Sequence, residues 1–141
     1  MSDPRAADHA DALTRAALGV PLARHLGAEL VDPDDPAAGV RWTVGENADN
    51  LIGSAHAAAV YAVAELAGFV AVAQHLAPDE HAVTVAQSAQ LVRAAPVGAT
   101  VVAVATLVRR GRRTAHLTVE VTLDDDVVAT YQLTKAVLGP R

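Results

Sequence analysis

The residue best suited to chemistry is a carboxylate in the most apolar part of the chain. Glu65 is the only acidic residue in residues 50–74, NLIGSAHAAAVYAVAELAGFVAVAQ. A lone carboxylate in apolar surroundings costs several kcal/mol unless it is paired, hydrated or neutralised. We therefore expect Glu65 to border a cleft, where it would suit a general base or a nucleophile. The structural alternative is a carboxylate hydrogen-bonded to a neighbouring strand or to Tyr61, one turn earlier on the same helix face.

An imidazole near the start of the same helix is the second candidate. His56 precedes Glu65 by nine residues, which at about 100° and about 1.5 Å per residue places them on opposite faces and roughly 13 Å apart. A shared site therefore requires a second copy of the chain to bring its helix start to Glu65. That helix start offers backbone N–H groups and a partial positive charge for an oxyanion, beside the small residues Ala57 and Ala58. Alternatively, His56 is a polar residue at the helix boundary.

The elements that would position these residues form one predicted domain over residues 1–141. Two helices are predicted, at residues 6–18 and from about 54 to 74. Six extended segments are predicted, at residues 28–31, 39–44, 81–92, 99–109, 114–123 and 127–137. Gly19 and Pro21 should end the first helix, and Ser54 is the expected N-cap of the second. Because the connections between the last four segments are short, we predict an α+β fold in which an antiparallel sheet wraps around one apolar helix.

Composition limits the partners and the chemistry. The net charge of −5 argues against a nucleic-acid partner. The chain has no cysteine and no recognisable metal-binding or nucleotide-binding motif, so we expect neither a metal nor a cofactor. The apolar run is rich in Ala and carries His56 and Glu65, which makes a membrane span unfavourable. No secretory signal is visible, and a cytoplasmic location is the expectation.

The spacing of the candidate residues resembles a known family. Asn50, Gly53, His56, the small pair at residues 57–58, and Glu65 nine residues after the His are similar to the motif of hotdog-fold thioesterases of the PaaI-like, phenylacetate-pathway type. The segments PLARHLGAEL and QLVRAAPVGATVVAVATLVRRGRRTAHLTVEV also resemble this family, so the similarity covers nearly the whole chain. Two departures are Ala57-Ala58 in place of the usual Gly-Gly, and Glu in place of the commoner Asp.

The resemblance implies a hotdog fold, a homodimer with joined sheets or a dimer of dimers, and an acyl-CoA or similar thioester bound between subunits. It implies that Glu65 acts as general base or nucleophile and that the N–H of Ala57 binds the oxyanion. Asn50 would help to position the acid or water, and Thr84 would orient the water. Gly53, Ala58 and Tyr61 are expected to contact the substrate.

A basic hairpin is the remaining candidate. RRGRR contains Arg109, Arg110, Arg112 and Arg113, which we interpret as a clamp for the phosphates of CoA. The alternative is a solvated hairpin tip that discourages association between strand edges. For the chain as a whole we expect an acyl-CoA thioesterase. The alternatives are a non-catalytic hotdog module that binds an acyl-thioester or another apolar ligand, and a structural dimer in which Glu65 belongs to a buried network.

Overall fold

The predicted apolar helix is present and packs against a six-stranded sheet. The structure is a computed structural model and describes residues 3–140. Its α-helices are α1 (Pro4–Gly19), α2 (Pro21–Leu26) and α3 (Ala57–Ala73). Its strands are β1 (Glu29–Leu30), β2 (Val40–Thr43), β3 (His81–Leu91), β4 (Thr100–Arg110), β5 (Thr114–Leu123) and β6 (Asp126–Leu138). Each predicted extended segment corresponds to one of these strands.

The sheet is antiparallel throughout, in the order β1-β2-β4-β5-β6-β3. α3 contacts five of the six strands, β2 to β6. Strand β3 follows α3 in the chain but lies at the outer edge, where β6 is its neighbour. This arrangement is the predicted α+β hotdog architecture, and the prediction is confirmed.

Helix α3 is apolar on all sides because the sheet covers one side and α1 and α2 cover part of the other. Its small residues permit a close approach to the sheet. A Cβ atom built on Gly68 would lie 2.5 Å from Cδ1 of Leu133 and 3.8 Å from Cε of Lys135, both on β6. The absence of a side chain at position 68 therefore leaves room for the side chains of β6. No helix within residues 3–140 has both the length and the apolar character needed to cross a membrane.

The N-cap of α3 is His56, so the prediction of Ser54 was wrong. The backbone of His56 is extended, with φ −61° and ψ 136°, and its Nδ1 accepts a hydrogen bond from the N–H of Ala58 at 3.0 Å. Ser54 is instead part of the preceding loop, where its hydroxyl accepts a hydrogen bond from Asn50. Ser54 has a suitable side chain for a cap, but the loop hydrogen bonds use it before the helix begins.

Helix α2 was not predicted, because Pro21 was interpreted only as the end of α1. Proline lacks an N–H and has a fixed φ, which also makes it suitable for the first turn of a new helix. Pro21 begins α2, and Gly27, with φ 75°, ends it. Both α1 and α2 lie against α3, and this packing leaves a cavity between α3 and the α1–α2 pair.

Gly39 allows the loop between β1 and β2 to lie against β4. Its φ is 101°, in the region that favours glycine, and an added Cβ would be 2.4 Å from the backbone oxygen of Ala103. A backbone atom in a central strand cannot move aside at low cost.

We expect Gly39→Ala to lower the free energy of unfolding by about 2–3 kcal/mol or more, because strain and a backbone clash add together. Chemical denaturation measures the loss. The matched control is Gly19→Ala, because a Cβ at that position meets no atom within 4 Å and φ is not positive. Equal effects of the two substitutions would contradict this account of Gly39.

Candidate active site

One side of α3 carries three large side chains, each one helical turn from the next. Tyr61, Glu65 and Phe69 are spaced by four residues and border a cavity of about 420 Å³ between α3 and the α1–α2 pair. The body of this cavity is aliphatic, with side chains such as Leu13, Ala17 and Leu66. Its polar groups come from Glu65, Tyr61 and His81. The cavity therefore combines a carboxylate with an apolar compartment, as predicted for a cleft beside Glu65.

The two carboxylate oxygens of Glu65 have different partners. Oε1 accepts a hydrogen bond from the hydroxyl of Thr84 at 2.5 Å and a second one from the ammonium group of Lys135. Among the described residues, Oε2 accepts only a long hydrogen bond, 3.4 Å, from the hydroxyl of Tyr61. The side chain of Glu65 retains 30% of its exposure. The carboxylate is thus anchored through one oxygen, while the other is weakly engaged.

Lys135 is the site residue that the sequence interpretation missed. It is the only lysine in the chain, and its side chain is 1% exposed. Its Nζ also donates to Oγ1 of Thr84 at 2.8 Å and lies 5.6 Å from the centroid of the Phe69 ring. The signal was the alternation of β6, in which Tyr131, Leu133 and Lys135 share the buried face. A lysine in phase with two core residues needs a counter-charge inside the fold.

Burial changes the titration of the groups around the pair. Desolvation lowers the pKa of Lys135, and its hydrogen bond to Glu65 and the charge of Glu65 oppose this lowering. Desolvation, followed by the charge and the hydrogen bond of Glu65, raises the pKa of Tyr61. Tyr131 stacks on Tyr61 with 5.8 Å between ring centroids, and burial together with Tyr61 raises the pKa of Tyr131 to about 12. Both tyrosines therefore stay neutral hydroxyl groups near neutral pH.

The helix start forms a separate recess. Within residues 3–140 the N–H of Ala57 has no hydrogen-bond acceptor, whereas that of Ala58 is bound by Nδ1 of His56. Because Nδ1 accepts, a neutral His56 carries its proton on Nε2. The first N–H of the helix is therefore available to an oxyanion.

The side chain of Asn50 is engaged in the loop before α3. Its Nδ2 donates to the Ser54 hydroxyl at 2.8 Å, and its Oδ1 accepts from the N–H groups of Ile52 and Ser54. These bonds enclose Gly53, which has a φ of 78°. Asn50 thus shapes the loop and keeps one amide hydrogen for another partner.

The structure brings together only some of the predicted site residues. Glu65 and Tyr61 border the cavity, and Thr84 joins them through its hydrogen bond to Glu65. The helix-start group comprises Asn50, Gly53, His56, Ala57 and Ala58. The recess beside it, of about 390 Å³, includes Asn50 and Ala57 and shares no lining residue with the cavity at Glu65. Within one chain these two groups remain apart, as the opposite-face geometry predicted.

The four arginines of the basic hairpin lie in different surroundings. Arg110 is partly buried and forms an ion pair with Glu80 at 2.5 Å, while it also donates to the carbonyl groups of Gly111 and Arg112. A hydrogen bond from the N–H of Ala77, and then Arg110, lower the pKa of Glu80. The other three, Arg109, Arg112 and Arg113, are exposed. Arg110 therefore links the hairpin to the start of β3, and the others extend into solvent.

Comparison with known proteins agrees with this fold. The family model for the thioesterase superfamily matches residues 52–130. The solved structure of a conserved protein, PA5202, from Pseudomonas aeruginosa is 27% identical, with a TM-score of 0.78 over 88% of this chain and 98% of that chain. The phenylacetic acid degradation protein PaaI from Thermus thermophilus, solved as a mutant, is 29% identical, with a TM-score of 0.75 over 83% of this chain and 98% of that one.

A third solved structure contains a ligand. It is smu.793 from Streptococcus mutans bound to acetyl CoA, 26% identical, with a TM-score of 0.63 over 72% of this chain and 81% of that chain. None of the curated proteins matches this chain. The chain belongs to the thioesterase superfamily, and its class is that of the thioester hydrolases. The resemblance to PaaI-like hotdog thioesterases is confirmed.

The ion pair of Lys135 predicts how stability depends on pH. Burial lowers the pKa of Lys135 in the folded state. Above this lowered pKa the unfolded chain binds more protons than the folded chain does. The free energy of unfolding therefore rises with pH until the ordinary lysine pKa is reached. In Glu65→Gln the interactions that oppose the lowering are absent, so this rise should begin at a lower pH.

The measurement is urea unfolding of Glu65→Gln and of the double variant Glu65→Gln/Lys135→Met between about pH 7 and pH 10. The difference between the unfolding free energies of the two variants cancels the contributions of the other titratable groups near Lys135, which are Tyr61, Tyr131 and His81. Of these, the two tyrosines contribute the opposite slope because their pKa values are raised. Curves that stay parallel across this range would contradict the role assigned to Lys135.

Proposed function

We propose that the protein is an acyl-CoA thioesterase in which Glu65 acts on the thioester. The observation that carries this proposal is a partly exposed carboxylate at the polar end of an aliphatic cavity. Membership of the thioesterase superfamily supports the reaction class. The acetyl CoA bound to smu.793 supports a CoA thioester as the substrate.

The proposed reaction uses water as the second substrate. Glu65 takes a proton from water as the water oxygen attacks the thioester carbonyl carbon. The tetrahedral intermediate collapses, the C–S bond breaks, and Glu65 returns the proton to the CoA thiolate. The products are a carboxylic acid and the CoA thiol. In an equally open variant, Glu65 attacks the carbonyl carbon and releases the thiolate, and water then hydrolyses the mixed anhydride, its proton passing to the thiolate.

Thr84 would orient the attacking water as an acceptor. Its hydroxyl proton is already donated to Oε1 of Glu65, so the oxygen can only accept a hydrogen bond from water. One lone pair is used by Lys135, which leaves one for water. A water that donates one of its protons to Thr84 would direct its oxygen lone pairs away from Thr84.

The acyl group would lie in the aliphatic part of the cavity. A hydrocarbon chain gains about 0.8 kcal/mol for each buried methylene, whereas a hydroxyl group there would find few partners. We therefore propose a substrate whose acyl chain is apolar. Exposed Arg109, Arg112 and Arg113 remain candidates for the CoA phosphates, while Arg110 is already paired with Glu80.

The complete site would form between two copies of a one-domain chain. The edge of β3 that faces away from β6 is unpaired within residues 3–140 and carries exposed Val83, Val85 and Leu91, which supports pairing with a second copy. Leu51 and Ile52, beside Asn50, are also exposed apolar residues. Such a homodimer, alone or within a dimer of dimers, would bring Ala57 and His56 of one copy to Glu65 of the other.

A binding module without catalysis is the second candidate. It is favoured by the Lys135 ion pair, which occupies one oxygen of Glu65, and by the methyl groups of Ala57 and Ala58 at the helix start. This candidate predicts retained CoA binding without hydrolysis.

We expect Glu65→Gln to lower kcat/KM by about 100- to 10,000-fold on the best substrate of an acyl-CoA panel, since the loss of a general base removes this much. Release of the CoA thiol measures the rate. The control is Glu29→Gln, the same substitution in an exposed ion pair with Arg41. Activity that survives Glu65→Gln unchanged would contradict the mechanism, and CoA binding without hydrolysis by the wild type would favour the binding module.

The oxyanion donor can be removed without disturbing the helix. Proline is well tolerated at the first helical position, and the extended backbone of His56 suits a residue before proline. Ala57→Pro should therefore lower kcat about 100- to 1,000-fold while the fold remains, and Ala57→Gly, which keeps the N–H, should lose much less.

Mixing the two inactive variants tests the two-chain site. Random exchange of Glu65→Gln and Ala57→Pro subunits gives mixed dimers with one intact site, so activity should recover to about a quarter of the wild-type value. A mixture that stays inactive after proven exchange would show that both groups act within one chain.

A further inference from the structure

We propose that Lys135 is a positioning residue that, together with Thr84, binds Oε1 of Glu65 and so leaves Oε2 as the oxygen that reacts. This inference rests on the proposed thioesterase function and specifies which atom performs the chemistry. In the general-base variant Oε2 takes the proton of water and later returns it to the thiolate. In the anhydride variant Oε2 forms the bond to the acyl carbon, and water later breaks it.

The hydrogen bonds distinguish the two oxygens. Oε1 receives a charge-assisted bond from Lys135 and a short bond, 2.5 Å, from Thr84. Such bonds to a charged acceptor are about twice as strong as neutral ones. Oε2 receives one bond at 3.4 Å from Tyr61, a distance at which hydrogen bonds are weak. An oxygen with two strong donors has little capacity to take a proton or to attack carbon, so the reactive lone pair belongs to Oε2.

The position of Oε2 also suits this role. Tyr61, its only partner within residues 3–140, borders the aliphatic cavity, whereas Lys135 is completely buried behind the carboxylate. Oε2 thus lies on the side from which an acyl chain in the cavity would present its carbonyl carbon. The ammonium group itself has no access to substrate, and its action on the reaction passes through Glu65.

Lys135 is rigid enough to hold Glu65. Its backbone belongs to β6, which pairs with β5 on one side and β3 on the other. Its stem passes the empty position of Gly68, where an added Cβ would be 3.8 Å from Cε. Its Nζ lies beside the Phe69 ring and donates to Thr84 on β3. Two strands and the helix therefore fix the carboxylate, and misplacement of a catalytic group by 1 Å can cost about 100-fold in rate.

The ammonium group of Lys135 lies against the same oxygen of Glu65 that Thr84 binds, so both donors hold the carboxylate from one side.

The kinetic test compares Lys135→Met, Thr84→Val and Thr84→Ser. We expect the first two to lower kcat at least about tenfold with KM within about twofold, because the substrate contacts remain while the carboxylate loses its anchor. Thr84→Ser keeps the hydroxyl and should restore most of the rate lost in Thr84→Val. The control for stability is Val121→Ala, a fully buried position on β5 away from the cavity. It should be destabilised without loss of kcat.

A spectroscopic test does not depend on hydrolysis. Because Lys135 is the only lysine, side-chain labelling with ¹⁵N gives a single lysine Nζ resonance. We expect a coupling through the hydrogen bond from this Nζ to Cδ of Glu65 in the wild type, and its loss in Glu65→Gln. Absence of the coupling in the wild type would overturn the proposal.

The outcomes separate this proposal from the function on which it rests. A folded Lys135→Met variant with the wild-type kcat, or with a change in KM alone, overturns the positioning role and leaves the thioesterase function intact. If that variant does not fold, Thr84→Val removes the other donor to Oε1, and an unchanged kcat there overturns the proposal. Absence of hydrolysis by the wild type, with the coupling present, overturns the proposed function and assigns the ion pair a structural role only.

Discussion

The ion pair between Glu65 and Lys135 joins the helix to the sheet, and Lys135 is the only fully buried charged residue among residues 3–140. Each partner alone would be a costly buried or half-buried charge. Together, and with the hydroxyl of Thr84, they form a compact network in which every strong donor has an acceptor. This network requires that α3, β3 and β6 keep one relative position, since a shift of either strand by one residue would move its side chain to the opposite face. The chemistry proposed for Glu65 and the register of the sheet therefore depend on the same contact.

The small side chains of the core make this contact reachable. A lysine stem that approaches the helix needs space, and Gly68, one turn beyond Glu65, supplies it by leaving the surface of α3 bare beside Leu133 and Lys135. The other side of the helix is packed less completely. There α1 and α2 cover α3 but leave the aliphatic cavity, so the proposed binding compartment lies where the helices pack less densely than the sheet does.

Most of the architecture could be predicted from the hydrophobic pattern, because α3 is one long apolar run rich in Ala and the four long strands are rich in β-branched residues. The errors occurred where one residue type serves two purposes. Pro21 ends one helix and begins another, and Ser54 has a good capping side chain but is taken by a loop hydrogen bond to Asn50. The residue type alone cannot decide between such uses, because the path of the loop determines which partner the side chain meets.

The candidate site was predicted in part, for a related reason. Glu65, Tyr61 and Thr84 were recognised and do meet, yet Lys135 was overlooked. Near the start of its strand the residues 127–129 are all apolar and the register shifts against β5, so this first part of the strand did not fix which alternate residues face inward. Apolar Ala136 and Val137 follow Lys135 and obscure the phase further.

The start and the middle of α3, which the proposed reaction would use, impose a constraint of their own. Ala57 and Glu65 are eight residues apart, which is about 12 Å along the axis, and they border recesses that have no residue in common. A thioester carbonyl needs its oxyanion donor and its base within a few ångström of one carbon. One copy of the helix cannot satisfy both demands, whereas two copies related by a twofold axis would satisfy them twice, each helix giving its start to one site and its carboxylate to the other. Because each copy would hold its own Glu65 through Lys135 and Thr84, the base would be preorganised before the subunits meet, and association would add the oxyanion donor.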